Sequence, residues 1–146
     1  MKTREKKQIV VLVGFVQHKG KILMIQRFEP ECSGAHLRWE LPGGKISFDE
    51  KPQYTIEREI NEETGFKVKA IDLAPIVQTH IWHYEKFDQH TIVLCYICKL
   101  IGGKINMKDH HTNDVKWIDP KSLSKIKLLI GTNKVIKIAI NNKLLF

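Results

Sequence analysis

The chain has 146 residues, 42% of them hydrophobic and 27% charged, which suits one globular domain and excludes both a second full domain and a disordered chain. No apolar run nears the roughly 20 residues that span a bilayer as a helix. A count of 24 Lys and Arg against 16 Asp and Glu leaves a formal charge of +8, which suits a polyanionic partner, and three cysteines in a chain able to build its own core point to free thiols in a reducing compartment, the cytoplasm.

In chain order, Lys2, Arg4, Lys6 and Lys7 stand ahead of an apolar run over 9–16 and imitate a secretory signal, but no small-residue cleavage site follows. Residues 1–8 read instead as a basic, flexible, solvated arm. Strands over 9–17 and 21–27 form a hairpin with a His18-Lys19-Gly20 tip, and 28–37 is a loop. The run Arg38-Trp39-Glu40-Leu41-Pro42-Gly43-Gly44 ends in a turn that only backbone fits closely. A helix is predicted over 52–64, with Pro52 at its first position and Gly65 just past its end. Lys51 is a poor cap, so Asp49 is expected to take that role. Strands follow over 66–79, with a break near Pro75, and over 91–100; a polar loop spans 101–113. A short strand over 115–118 leads to a helix start at Asp119-Pro120, and a last helix runs over 133–142.

The predicted helix over 52–64 carries the chemistry. Glu59, Glu62 and Glu63 stand at i, i+3 and i+4, so their carboxylates crowd one side of it beside Ile56 and Ile60. Such a cluster repels itself unless cations are present. Arg58 supplies one; a hard divalent ion would supply more, because Mg²⁺ takes a few carboxylates, keeps several waters and bridges phosphate oxygens. Three glutamates on a helix are ordinarily a solvated face. Here Gly43 and Gly44 bring backbone toward the cluster, and Glu50 stands at the mouth of the helix.

Gly44, then Glu50, then Arg58-Glu59-Ile60, Glu62-Glu63 and Gly65-Phe66, resembles the Nudix box, the signature of the Nudix hydrolase superfamily, with every specified position filled. The early hairpin, the Trp39-to-Gly44 run and a Trp117 strand before a helix are similar to the family's layout. The resemblance implies a single-domain α/β fold, an α/β/α sandwich around a mixed β-sheet. It implies hydrolysis of a nucleoside diphosphate linked to a further group. By that likeness Glu59, Glu62 and Glu63 hold Mg²⁺ or Mn²⁺ together with the Gly43 carbonyl, and Arg58 orients the glutamates. Glu59 is the choice for the base within the box, and Asp114 for an acid from a later loop, with Glu85 and Asp88 behind it.

For the substrate, Arg27 and Lys45 are placed to meet phosphate oxygens. The order Arg27, Trp39 to Lys45, Asn133 is similar to the antimutator branch that removes oxidised guanine nucleotides, in which an Asn reads the base. The first reading is therefore a nucleoside triphosphate or an oxidised purine nucleotide, cut to monophosphate and pyrophosphate. ADP-ribose or a nucleotide sugar is the second; relatives of that kind often carry extra N-terminal strands for dimer exchange, which are not expected here. A non-catalytic nucleotide- or RNA-binding module is the third, disfavoured by the intact carboxylate set. The expected partner is a small nucleotide, with no membrane and no nucleic acid, in a monomer or homodimer. Cys95 and Cys98 fall on opposite faces of a strand, which argues against a zinc pair; Trp39 and Trp117 read as packing residues, and the histidines 80, 83, 90, 110 and 111 as loop and edge residues.

Overall fold

The computed structural model describes residues 3–142. Two long strands set the frame: β1 (Glu5–His18) and β6 (Phe87–Gly103) lie parallel at the centre of a mixed sheet. The hairpin tip after β1 is a Lys19-Gly20 turn with positive φ at both residues, the geometry that lets a two-residue loop join twisted strands. It leads into β2 (Lys21–Arg27), after which β3 (Trp39–Glu40) and β4 (Gly43–Lys45) are short. The first helix, α1 (Pro52–Thr64), hands over to β5 (Phe66–His83), which turns back antiparallel as β6. Then come β7 (Thr112–Ile118), a 3₁₀ helix (Pro120–Lys125) and α2 (Thr132–Asn142). The sheet runs β3-β2-β1-β6-β5, with β4 on β1 and β7 on β2.

Side chains alternate across this sheet and feed two cores. Val13, Phe15, Met24, Cys95 and Ile97 pack against Val135, Ile136 and Ala139 of α2. On the opposite face Leu12, Val16, Leu23, Tyr96 and Cys98 pack against Ile56 and Ile60 of α1. The result is the expected α/β/α sandwich. Cys95 and Cys98 do face opposite ways, and the three cysteines are buried and free. Trp39 is buried, and Trp117 meets Phe66 edge-on at 5.2 Å. Among the described residues no helix is long and apolar enough to cross a membrane.

Several elements depart from the sequence reading. Half of the expected flexible arm is strand, because residues 5–8 pair with 87–90 of β6; Met1 and Lys2 lie outside the described residues. Arg4 secures that end, pairing with Asp88 at 3.1 Å and donating to the carbonyls of Tyr84, Glu85 and Phe87. The expected break near Pro75 is present as a register shift between Leu73 and Val77, but β5 continues past Thr79 to His83. Helix α1 has the expected bounds, and Gly65 closes it at φ 86 with its N–H on the Asn61 carbonyl. Its cap does not match: Lys51 is the N-cap residue, no side chain bonds there, and Asp49 sits two residues earlier at φ 65. The Asp119 side chain, in contrast, accepts from the Lys121 N–H as a cap should.

Candidate active site

Gly43 and Gly44 form strand, not a turn. They pair with Val13 and Leu12 of β1, which presses β4 between that strand and α1. A methyl group on Gly43 would stand 1.9 Å from the Leu12 carbonyl oxygen, and one on Gly44 would stand 2.5 Å from the Glu59 carboxylate carbon. Both glycines are thus places of close approach: Gly43 to a neighbouring strand, Gly44 to an acid of α1.

Glu63 lies one helical turn after Glu59 and is 5% exposed. It accepts the Gly43 N–H at 2.6 Å and stands 3.5 Å from the Thr112 hydroxyl. Burial raises its pKa well above the ordinary carboxylate range; the charge of Glu40 adds to the rise, the Gly43 N–H opposes it, and Asp109 and Glu59 add again. Glu59 is raised too, by burial first, with Arg58 opposing and then Glu62 and Asp109 adding. Arg58 is the hub of the helix. It grips Glu50 through two bonds of 2.8 and 3.0 Å and reaches Glu59 at 3.2 Å and Glu62 at 3.1 Å. Its hydrogen bonds to Glu50 hold that carboxyl down to about 2.

These acids stand at one end of a cavity of about 860 Å³, walled by β1, β5, β6 and the segment that opens α2. Glu59, Glu63, Gly43, Gly44 and Lys45 line it. Glu62 does not; its side chain is 50% exposed on the outer side of α1, held by Arg58. Arg27 lines the cavity but is already engaged, with two bonds to Glu40 at 2.6 and 3.0 Å and one to Glu29 at 3.1 Å.

Asp114, Glu85, Asp88 and Asn133 are not on the cavity wall either. Asp114 bonds the Val115 N–H and lies 3.7 Å from Lys116, because its strand pairs with β2; the acid that the preceding loop brings to the wall is Asp109. Glu85 and Asp88 stand at the far turn of the β5–β6 hairpin with Arg4 and His83. Asn133 is exposed at the start of α2, and the wall there is made by Gly131, Thr132 and Val135. Of the histidines, His80 and His111 reach the wall, while His83 bonds Asp88 and His90 bonds Gln8.

Glu40 and Asp109 were not singled out from the sequence. Glu40 was visible in the Trp39-to-Gly44 run, but only its 8% exposure and its pairing with Arg27 mark it as a buried acid of this site. The polar loop containing Asp109 carried no local signal.

The donor set suits a hard divalent cation: Glu59, Glu63 and Asp109 are oxygen donors, and the charge of Asp109 adds to the raised pKa of both glutamates, while Arg58 is occupied by Glu50 and Glu62. Among the described residues no three His, Cys, Asp or Glu side chains form a ready-made metal cage.

The NUDIX domain family model matches residues 6–137. The chain belongs to the Nudix hydrolase family. Over 110 residues this Nudix hydrolase is 30% identical to a MutT-like protein of Streptomyces ambofaciens, a match covering 75% of this chain and 62% of that protein, less than two thirds of its length. A provisionally named 8-oxo-dGTP diphosphatase 2 of Mycobacterium tuberculosis is 29% identical over 119 residues, covering 75% of this chain and 79% of the relative. An ADP-ribose pyrophosphatase of Methanocaldococcus jannaschii is 30% identical over 132 residues, covering 88% and 70%. In fold, the chain matches a MutT NUDIX hydrolase from Burkholderia pseudomallei with a TM-score of 0.71 at 22% identity, over 90% of this chain and 97% of that one. As a Nudix hydrolase it is a pyrophosphohydrolase by class.

Proposed function

We propose that this Nudix hydrolase cuts a pyrophosphate bond in a nucleoside triphosphate or related nucleotide, an oxidised purine nucleotide included, releasing nucleoside monophosphate and pyrophosphate. The observation that carries this reading is the pair of a buried Glu63 and a half-buried Glu59, set against the Gly43-Gly44 strand at one end of a nucleotide-sized cavity. Mg²⁺, or Mn²⁺ in its place, would neutralise phosphate charge there, held by Glu59, Glu63 and Asp109, with Gly43 backbone beside them. Glu63 is held rigidly by the Gly43 N–H. Glu59, 3.2 Å from the Arg58 guanidinium that positions it, is the residue proposed to take the proton of the attacking water. Arg58 positions both Glu59 and Glu62, and Lys45 meets phosphate oxygens as a point charge. Arg27, on the cavity wall, holds Glu40 and Glu29 in place. The setting is cytoplasmic, in keeping with three free thiols.

A second reading keeps the chemistry and takes ADP-ribose. Glu29 and Glu31 on the cavity wall favour it, since carboxylates accept hydrogen bonds from ribose hydroxyls.

The test is a divalent-ion-dependent assay of nucleoside triphosphates, oxidised nucleotides and ADP-ribose, scoring phosphate and pyrophosphate. The Glu63→Gln variant is expected to lose at least about 100-fold in rate while keeping its fold by circular dichroism. Near-normal turnover by that variant would overturn the assignment of Glu63.

A further inference from the structure

We propose that the Thr91 hydroxyl, on the floor of the cavity, is the group that reads the edge of the substrate's base; this rests on the nucleotide reading above. Thr91 is 6% exposed, and its Oγ1 is the one buried side-chain nitrogen or oxygen among the described residues without a hydrogen-bond partner. Threonine and valine have nearly the same shape, so a purely structural floor is better served by valine. Thr91 lines the cavity, so its buried hydroxyl, left without a partner by the chain, is open to completion by a ligand.

The place of Thr91 in the sheet says which part of the ligand. It pairs with Ile9 on one side and His80 on the other, and both also line the cavity. Gly43, whose N–H holds Glu63, is registered to Val13, four residues further along β1 from Ile9. At about 3.3 Å per residue that is roughly 13 Å of strand. A nucleotide held by its phosphates at Glu59 and Glu63 reaches so far only with its nucleoside end.

The surroundings suit a flat ring with a polar edge. Ile9, Val11 and Val93 offer an apolar floor, and Trp82 offers an aromatic wall. Gln89, two residues before Thr91 on the same strand face, also lines the cavity and is registered to Trp82. A hydroxyl and a carboxamide each donate and accept, which matches the mixed edge of a purine or pyrimidine. Asn133, exposed at the start of α2, is not on that wall.

The experiment compares wild type, Thr91→Val and Thr91→Ser with Mg²⁺ on nucleoside triphosphates differing only in base, and on ADP-ribose. For the preferred base, Thr91→Val is expected to raise KM about five- to tenfold, with kcat moving less than about twofold; Thr91→Ser, which keeps the hydroxyl, is expected to stay within about twofold of wild type in both. Without nucleotide, the melting temperature of Thr91→Val is expected to equal or exceed that of wild type. Unchanged KM across the panel in an active Thr91→Val enzyme, or a fall in kcat alone, would overturn this inference and leave the proposed function standing. A melting temperature lowered by several degrees would also overturn it, by showing that the hydroxyl serves the fold. A wild-type enzyme that cuts none of the nucleotides would overturn the proposed function and this inference with it.

Discussion

Glu63 illustrates how a single carboxyl couples folding to the site. Burial favours its protonated form, and Glu40, Asp109 and Glu59 act in the same direction. Its folded pKa therefore lies above its unfolded one, so the native chain binds more protons between the two. The stability it contributes is complete below the ordinary Glu range and is lost as pH rises through the raised value. Glu59 has the same sign. Glu50 has the opposite one, since Arg58 holds it at about 2: its contribution is present above the usual carboxylate range and is lost as pH falls toward about 2. In metal-free protein, Glu63→Gln is expected to melt a few degrees above wild type near about pH 8, with the difference closing toward about pH 4. Thermal melts followed by circular dichroism check this; equal midpoints at the higher pH would contradict it. Glu59 and Glu63 were legible in the sequence because helical spacing is a local property. Glu40, Asp109 and Thr91 were not, because their place is set by strand pairing and a loop remote in sequence from α1.

Among the elements, α1 was read to the residue because its ends carry their own chemistry, proline at the first position and a left-handed glycine after the last. The strands were harder. β5 and β6 extend beyond their apolar cores because each residue's backbone finds a partner across the hairpin, polar side chain or not. The diglycine was misread as a turn for a related reason: glycine signals both chain reversal and close approach, and only pairing with β1 tells them apart. The two glycines are expected to respond differently to alanine. Gly44→Ala meets the movable end of Glu59, so it is expected to lower activity by at least about tenfold while the melting temperature changes little. Gly43→Ala meets the Leu12 carbonyl and Val13 Cα, which are backbone, so it is expected to cost about 1–3 kcal/mol or more. Denaturant midpoints and rates measured on both variants separate the cases; a Gly43→Ala protein as stable as wild type would contradict the pairing argument.

At the scale of the molecule, the charge is unevenly spread. The chain carries a formal +8, yet Glu29, Glu31, Glu40, Glu59, Glu63 and Asp109 line the cavity. Net charge draws a polyanion toward the surface, while the cavity's own acids oppose its last approach. Binding of a non-hydrolysable nucleotide, followed by calorimetry, is expected to tighten at least about tenfold when Mg²⁺ is added; equal affinity with and without the ion would show that the acids do not govern entry. The sheet as a whole ends in β5, an 18-residue border strand whose Val77 and Ile81 are 62% and 52% exposed. A border of that length is a template on which foreign backbone can accrete. Pro75 interrupts the template: it has no N–H to give, and the shifts of register around it stagger the neighbouring groups. An incoming strand therefore meets two short stretches out of step with each other, and the proline that breaks the strand guards its open side.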